Sequence, residues 1–305
     1  MSRLPNRFFV GLALMFTAMT VNAATVEEGL KAAQAGDYAR ARAIWEPLAQ
    51  KGDAAAQYNM GVMYANGHGV QRDPVAAFGW YRRAALQGYE RGRMLVGSKY
   101  LDGAGTGKDV NRALRIFLSL GKELESESAQ YIKKILTGLY PAPLKGWEAG
   151  EVTWRYEKMI DIFFAASYNL EAKREYRRKG SDEKVIISVQ SNNLIYKVLF
   201  DAFYGPPPKT EKEVAAHRER REQAEKLGFR KFAHGFINGL AAADSAILIL
   251  ALDEDVYVSV ETSKPSAADA PPELVRAHVS RMDLRGIRSV LQNTGIRTME
   301  DGLIE

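Results

Sequence analysis

The sequence predicts a multidomain protein in which an N-terminal all-α helical-repeat superhelix is followed by an α+β domain with an antiparallel sheet. Two observations predict this fold class. Residues 27–139 repeat at an interval of 36 residues, and the pattern after residue 140 changes to strand-like runs between helices. We expect a signal peptide at 1–23, helical repeats at 24–140, a linker at 141–149 and the α+β domain at 150–305.

The first element is a secretory signal pattern. Arg3 and Arg7 precede an apolar run from Phe8 to Met19, and the small-residue site Val21-Asn22-Ala23 follows it. The apolar run is about a dozen residues, whereas a helix that spans a membrane needs about 20. We therefore expect export, cleavage after Ala23 and no stable membrane span in the mature chain.

The composition excludes several classes of chemistry. The chain has no cysteine, which excludes disulfides, a thiolate nucleophile, cysteine-bearing zinc sites and lipidated cysteines. Its 42 Lys and Arg residues against 37 Asp and Glu residues give a formal charge of only +5, spread over the whole chain. Because a nucleic-acid-binding domain concentrates its basic residues on one surface, we predict no nucleic-acid partner.

The 36-residue interval is carried by glycine, aspartate, alanine and aromatic residues. The matched pairs of the two clearest units are Gly52/Gly88, Gly61/Gly97, Tyr64/Tyr100, Gly67/Gly103, Gly69/Gly105, Asp73/Asp109, Ala77/Ala113 and Tyr81/Phe117. The same step backwards from Asp73, Ala77, Tyr81 and Ala85 reaches Asp37, Ala41, Trp45 and Ala49. Glu27 to Gly52 is therefore interpreted as a half unit, and the period predicts stacked helix pairs.

Each unit is predicted to be two helices joined by a glycine turn. The first helix runs from Ala54 to Tyr64 and ends at a turn where Gly67 and Gly69 provide the positive φ angles that stop a helix. The second begins at Asp73-Pro74, an N-cap followed by proline at the first helical position. A Thr25-x-x-Glu28 capping box starts the first helix of the array, and a closing helix is expected at about 126–139.

These residues resemble the Sel-one-like repeat family, a relative of the tetratricopeptide repeats. The clearest copy is Ala54 to Gly88, with a looser one from Tyr89 to Leu124. The resemblance implies a superhelix that binds a protein or peptide on its concave face, and together with the signal it implies the bacterial periplasm or secretion. Four aromatic side chains are candidates either for the helix core or for anchoring that partner: Tyr58, Tyr64, Trp80 and Tyr81.

The segment from Gly103 to Lys108 looks like a phosphate-binding loop but fails the requirements of one. A Walker A loop needs glycine where Asp102 stands and serine or threonine where Asp109 stands. A dinucleotide-binding loop needs a preceding strand, and a helix is predicted here. Because its glycines repeat Gly67 and Gly69, we interpret the segment as an interhelical turn.

After residue 140 the sequence predicts the α+β domain. Strands are expected at Val152–Tyr156, within Ile160–Tyr176, and at Lys184–Gln190, Phe229–Ile237, Ser245–Leu252 and Val256–Glu261. Helices are expected at about Asn192–Phe203, Lys209–Leu227, Pro271–Met282 and Leu284–Leu291. Strands in runs, each followed by helices, predict an antiparallel sheet covered on one face.

Three charged features of this domain each have two interpretations. Residues 209–227 are a solvated helix or a binding arm. Asp253-Glu254-Asp255 is a hairpin turn or a calcium site, although it lacks the alternating spacing of a calcium loop. A basic cluster is a solvated strand end or a site for an anionic envelope polymer; it consists of Lys173, Arg174, Arg177, Arg178 and Lys179.

No catalytic, cofactor-binding or metal-ligating residues can be assigned from the sequence, and no cofactor is expected. The four histidines, His68, His217, His234 and His278, stand apart without a metal-ligand spacing. There is no nucleophile-elbow motif. An active site assembled from distant residues stays open at this level.

Two functions follow from these observations. The first is an exported, non-enzymatic adaptor that binds a protein through its repeats. The alternative is a cell-envelope enzyme or accessory factor with its activity in the α+β domain. Converging acid, base or histidine side chains in a concave pocket would favour the second, and a filled apolar sheet face would favour the first.

Overall fold

The structure is a computed structural model and describes residues 25–120, 125–160, 166–191, 197, 201, 203–205, 208–226, 229–234, 237–242, 247–252, 256–263 and 273–292. The chain divides between Gln87 and Gly88 into two units. The predicted signal peptide, the acidic hairpin tip at 253–255 and most of the helix predicted at 192–203 lie outside the described residues.

In the first unit, the described residues form four helices, α1 (Val26–Gln34), α2 (Tyr38–Gln50), α3 (Ala54–Asn66) and α4 (Pro74–Leu86). The predicted capping box begins α1, since the Glu28 N–H donates to the Thr25 hydroxyl at 3.2 Å and the Thr25 N–H donates to Glu28 at 3.3 Å. Helix α4 begins as predicted, with Asp73 Oδ1 accepting from the N–H groups of Val75 and Ala76 at 2.9 and 3.0 Å. Such a cap is worth about 1 kcal/mol.

The turn between α3 and α4 also confirms the prediction. Gly67 and Gly69 have φ angles of +77° and +67°, in the left-handed region that a side chain disfavours. The Gly67 N–H donates to the Met63 carbonyl at 2.8 Å, which closes the C-terminus of α3. These two glycines are therefore required by backbone geometry.

The core of the first unit alternates small and large side chains. Trp45, Met60 and Met63 are buried among alanines of α2 and α3, and Ala41, Ala49 and Ala56 allow the helix backbones to approach closely. Gly29 lies against the Trp45 ring, where an added Cβ would be 2.2 Å from Nε1. Each helix pair is thus held by one large aromatic side chain that fills the space above a glycine.

The same glycine–aromatic contact shows that α1 and α2 form a complete helix pair, whereas the sequence led us to expect a half unit from Glu27 to Gly52. Gly61 lies against Tyr81 in α3 and α4 as Gly29 lies against Trp45 in α1 and α2. The connection between α1 and α2 is 35–37, whereas that between α3 and α4 is 67–73, four residues longer. The shorter turn shifts the first helix out of the 36-residue register, so a fixed offset cannot align it.

In the described part of the second unit, six helices are present: α5 (Glu90–Asp102), α6 (Val110–Leu118), α7 (Glu125–Thr137), α8 (Glu211–Lys226), α9 (Glu273–Val279) and α10 (Leu284–Leu291). Gly97 of α5 lies against Phe117 of α6, where a Cβ would be 2.9 Å from the ring, so these two helices are a third pair of the same kind. Helices α7, α8 and α10 confirm the predictions at 126–139, 209–227 and 284–291.

The described strands of this unit form one seven-stranded sheet: β1 (Trp147–Ile160), β2 (Ala166–Arg178), β3 (Lys184–Ser191), β4 (Phe229–His234), β5 (Ile237–Ala242), β6 (Ile247–Ala251) and β7 (Val256–Thr262). Its order is β1-β2-β3-β7-β6-β5-β4, and every neighbouring pair is antiparallel. The predicted α+β class with an antiparallel sheet is therefore confirmed.

The sequence missed strand β5 and the covering of the second face. One strand was expected at Phe229–Ile237, but β4 ends at His234 and β5 pairs back along it. The composition of β5, Ile-Asn-Gly-Leu-Ala-Ala, has few strand-favouring residues, so only its partners identify it. Helices contact both faces of the sheet, because Ala224 of α8 packs against Tyr257 and Ile249 while α9 packs on the opposite side.

The third helix pair, residues 141–149 and the sheet are tied together within the second unit. Asn111 of α6 donates from Nδ2 to the carbonyls of Val290 and Gln292, at 2.7 and 2.6 Å, at the end of α10. The Tyr176 hydroxyl of β2 donates to the Pro141 carbonyl at 2.8 Å. The segment expected to be a linker is thus a packed part of this unit.

Candidate interaction surface

The exposed side of the first helices in the first unit is the candidate interaction surface. We define the first-helix face by Glu27, Leu30 and Gln34 of α1 and by the equivalent residues Asn59, Val62 and Asn66 of α3. In each helix these residues are spaced i, i+3 and i+7, which places them on one side. On α1 they are exposed, and on α3 they are half-buried or exposed.

Each helix contributes an apolar residue between polar ones. Leu30 is 44% exposed, and the other large apolar side chains that the structure shows exposed in this unit are Val75 and Leu86 of α4, at 67% and 49%. Val62 occupies the equivalent position on α3 and is half-buried. An apolar centre with an amide and carboxylate rim is the composition that protein interfaces use.

A buried glutamine fixes α3 beneath this face. Gln57 Nε2 donates to the Ala49 carbonyl at 3.1 Å, and Gln57 Oε1 accepts from Gln87 Nε2 at 2.8 Å. The ends of α2 and α4 are thereby joined to α3 through one side chain. Gln57 was not predicted to be a functional or structural residue, because its only signal in the sequence is a polar side chain at a core-facing position of the helix.

The equivalent position in the second unit is occupied by Arg93, which is also buried. Its guanidinium donates to the hydroxyl and the carbonyl of Ser119, at 2.6 and 3.2 Å. Burial lowers the pKa of Arg93, and the nearby Glu90 opposes this shift. Both repeats thus use a buried polar side chain at this position to bind the end of a second helix.

The aromatic candidates divide between core and partial exposure. Tyr81 is buried, and this burial, reinforced by Tyr58, raises its pKa above the ordinary value of a phenol. Tyr64 and Trp80 are partly buried against the core, and the guanidinium of Arg83 lies 4.6 Å from the centre of the Trp80 ring. Tyr81 is therefore a packing residue, and the other three pack with part of their surface exposed.

The glycine-rich segment after α5 is an interhelical turn. Gly103 and Gly105 have φ angles of +78° and +81°, as Gly67 and Gly69 do in the preceding pair. Asp102 accepts from the Ala104 N–H at 2.7 Å, and Asp109 caps α6 by accepting from the Arg112 N–H at 2.8 Å. The repeat thus accounts for Gly103 and Gly105, two of the three glycines that suggested a phosphate loop.

The structure leaves the histidines apart. His68 stacks on Tyr38 with ring centres 4.3 Å apart, His217 lies on α8, and His234 lies on β4. His278 of α9 is buried against Trp147 and Tyr176, with ring centres 5.4 and 5.2 Å away. Among the described residues, no group of three or more His, Asp or Glu side chains is placed to hold a metal ion.

One face of the sheet is filled by apolar side chains beneath α9. Its fully buried residues include Tyr176, Val185, Ile187, Val189, Val258 and Val260. Burial raises the pKa of Tyr176 to about 12, against the opposing effect of Arg174, so its hydroxyl stays protonated and can donate to Pro141. This face has the filled character that we associated with an adaptor.

The basic cluster at the end of β2 is largely neutralised by neighbouring acids. Lys173 pairs with Glu171 at 3.0 Å, Arg178 with Glu183 at 3.0 Å and Lys179 with Glu148 at 3.2 Å. Arg177 pairs with Glu175, and Arg174 donates to the Gly150 carbonyl at 3.0 Å. Most of its charge is therefore used within the hairpin of β1 and β2 and the turn that follows it.

Among the described residues, no helix has the length and apolar character needed to cross a bilayer.

Three helix pairs, each with a glycine against an aromatic ring, define a helical-repeat protein. Residues 54–89 and 92–120 match the family model of the Sel1 repeat, which confirms the resemblance found in the sequence. Sel1 repeats indicate an adaptor-type scaffold for protein interactions. The match does not extend to the first helix pair or to the sheet.

Two solved structures of repeat proteins are similar to this chain. A Sel1 repeat protein from Oxalobacter formigenes is 30% identical, over 38% of this chain and 46% of that one, with a TM-score of 0.33. A protective antigen of uropathogenic Escherichia coli strains, which displays an SLR fold, is 21% identical over 37% of this chain and 29% of that one, with a TM-score of 0.29. The chain therefore spans less than half the length of either. A search of curated proteins found no match.

Proposed function

We propose that this protein is an exported, non-enzymatic adaptor that binds a protein or peptide partner on the first-helix face of its repeats. One observation carries the proposal: Leu30 and Val62 occupy equivalent positions on successive first helices, and each is accessible between polar neighbours. Both repeats thus have an apolar side chain at the same solvent-accessible position. Such a pair of side chains suits a surface that a protein partner covers.

Two further observations support the parts of the proposal that concern location and chemistry. The basic, apolar and small-residue order of residues 1–23 supports export to the periplasm or the medium. The apolar side chains that fill one face of the sheet support a structural role for the α+β domain, because the described residues of that face are used for packing against α9.

Site-specific photocrosslinking tests the binding surface. A photoreactive residue at position 62 should give a discrete adduct with the partner in cells. The matched control is position 75, because Val75 is also valine, is 67% exposed and belongs to α4, the second helix of the pair. No adduct from position 62, or the same adducts from both positions, would show that the first-helix face is not the binding surface.

Mass spectrometry of the purified mature chain tests export. We expect an N-terminus at Ala24 and recovery of the protein from the periplasmic or extracellular fraction. A chain that retains Met1 and stays in the cytoplasmic fraction would remove export from the proposal but leave the binding surface to the crosslinking result.

A further inference from the structure

Strand β1 forms one edge of the sheet and is long for an edge strand. It has 14 residues, whereas β4, at the opposite edge, has six. Among the described strands, β1 is bonded to β2 alone, so the backbone groups of its outer side point away from the sheet. Proteins often keep edge strands short, because an open edge accepts a further strand. Strand β4 follows this rule, and β1 does not.

The regular part of β1 begins after a bulge. The register with β2 shifts between Ala149 and Val152 and is then continuous as far as Ile160. Before the bulge the strand lies beside α7, where Lys133 pairs with Glu151 at 3.0 Å. The nine residues after it contain neither proline nor glycine, and most of them favour strands. This part of the edge therefore has the backbone regularity that pairing with another strand requires.

The hairpin of β1 and β2 extends past the neighbouring strand. Strand β2 pairs with β3 from Glu171 to Arg177, whereas β1 and β2 continue to pair as far as Ile160 and Ala166. In the described part of the sheet, the last five pairs of this hairpin thus have no third strand beside them. A two-stranded ribbon is only marginally stable in water, and a third strand stabilises it. A strand added to β1 would therefore stabilise the ribbon and bond to its outer backbone groups.

The two sides of β1 differ in polarity, and an added strand must match both. On one side of the sheet Val152 is buried, and Trp154 and Tyr156 are half-buried. On the other side Thr153 and Arg155 are exposed. A neighbouring strand therefore needs apolar residues that alternate with polar ones. Strand β1 itself has this alternation, and a twofold axis perpendicular to the sheet places like sides of two copies together.

We propose that β1 pairs antiparallel with β1 of a second copy of this chain, about a twofold axis at Tyr156. In this register Val152 is opposite Ile160, and Arg155 is opposite position 157, which is a glutamate, on both sides of the axis. Opposite charges at facing positions stabilise an antiparallel pair. The pairing joins two seven-stranded sheets edge to edge and makes each projecting ribbon part of a four-stranded sheet.

Charge and polarity disfavour the neighbouring registers. An axis at position 155, 157 or 158 would place a charged residue opposite its own copy, and an axis at Trp154 would place Glu151 opposite Glu157. Like charges at facing positions destabilise a strand pair. An axis between two residues would set the apolar side of one copy against the polar side of the other. The axis at Tyr156 avoids both conflicts.

Cysteine crosslinking of the full chain from residue 24 tests this register. The chain has no cysteine, so one introduced thiol reports on its own copy alone. Tyr156→Cys should form a disulfide-linked dimer on mild oxidation, because facing Cα atoms lie within the ~4.4–6.8 Å that a disulfide spans. Trp154→Cys is the matched control, since it replaces another half-buried aromatic residue on the same side of β1. Its two thiols would lie about 13 Å apart along the strands and should not crosslink.

Analytical ultracentrifugation tests the association itself. We expect a monomer–dimer equilibrium in the cysteine-free chain. Glu157→Lys should raise the dimer dissociation constant about tenfold, because it sets like charges opposite each other twice in the dimer. Glu151→Lys makes the same exchange on the same strand, before the paired residues, and should leave the constant unchanged.

Three results would overturn the proposal. The first is a chain that stays monomeric at every concentration tested, which would leave the edge of β1 to a strand of another protein. The second is a Tyr156→Cys variant that crosslinks no better than Trp154→Cys. The third is an equal weakening of the dimer by the two lysine variants, because that result would place the interface elsewhere.

Discussion

At the scale of single residues, the glycine–aromatic contacts determine how closely the helices of a pair approach. Gly61 lies beneath the Tyr81 ring, and an added Cβ would be 2.5 Å from two of its atoms. Gly79, in the interior of α4, has no neighbouring atom within 4 Å of the equivalent position. Of these two glycines in one helix pair, Gly61 thus has no room for a side chain, whereas Gly79 has room for one.

We predict opposite effects of alanine at these two positions. Gly61→Ala should destabilise the first unit by about 1–3 kcal/mol, because the ring must move to admit the methyl group. Gly79→Ala should stabilise it by up to about 1 kcal/mol, because alanine restricts the unfolded chain and favours helix. Urea unfolding followed by circular dichroism measures both. Equal shifts in the same direction would show that the ring does not determine the helix spacing.

His278 is a buried imidazole in the second unit. It is 1% exposed, and its Nδ1 lies 2.9 Å from the Leu274 carbonyl. Its Nε2 has no hydrogen-bond partner among the described residues. Burial lowers the pKa of His278, the Leu274 carbonyl opposes this shift and the positive charge of Arg281 adds to it. The imidazole is therefore held in its neutral form.

We predict that the second unit loses stability as the pH falls below about 6.5, the ordinary histidine value. Below that pH the unfolded chain binds a proton that folded His278 resists, so acid favours unfolding. The urea midpoint at about pH 5.5 should be lower than at about pH 7.5, and His278→Gln should reduce this difference. His217→Gln on α8 should keep the wild-type response. A wild-type response in His278→Gln would assign the acid sensitivity to other groups.

At the scale of elements, one side chain of the third helix pair closes the end of α10. Asn111 donates to two carbonyls there, at 2.7 and 2.6 Å, and the helix end would otherwise leave these acceptors without an intrahelical donor. The contact joins positions separated by about 180 residues of chain. No spacing rule within the sequence connects them.

We predict that Asn111→Ala destabilises the second unit by about 1 kcal/mol, because the part-buried Val290 carbonyl and the exposed Gln292 carbonyl lose their donor. Asn59→Ala on α3 is the control, since it makes the same exchange on a helix surface in the first unit. Thermal unfolding followed by near-ultraviolet circular dichroism measures the change. A similar, small shift in both variants would show that the Asn111 contact does not stabilise the fold.

At the scale of the whole molecule, the division of the chain at Gln87 and Gly88 places the third helix pair with the sheet. We predict that a fragment of residues 88–305 unfolds cooperatively. A fragment of residues 146–305 should unfold at a lower temperature, because it lacks Asn111 and the Pro141 carbonyl that accepts from Tyr176. Calorimetry compares the two. Equal transition temperatures would instead support a boundary at 141–149.

The sequence by itself determined the second and third helix pairs of this protein, because their determinants are local. Aspartate caps, the proline after Asp73 and the positive-φ glycines each act within a few residues, and they recur at a fixed interval that a single chain reveals. It also determined the antiparallel α+β class and the solvated helix α8. Their alternating and charged patterns are again properties of short segments.

Only the tertiary structure decided which distant residues meet. The sequence could not place β3 beside β7, identify the weakly patterned β5, or align a first helix pair whose turn is four residues shorter. Nor could it show that Glu171 is buried between Arg155 and Lys173, because each residue alone is typical of a solvated strand. These features depend on strand order, register and packing, which link positions far apart in the chain and leave no local pattern.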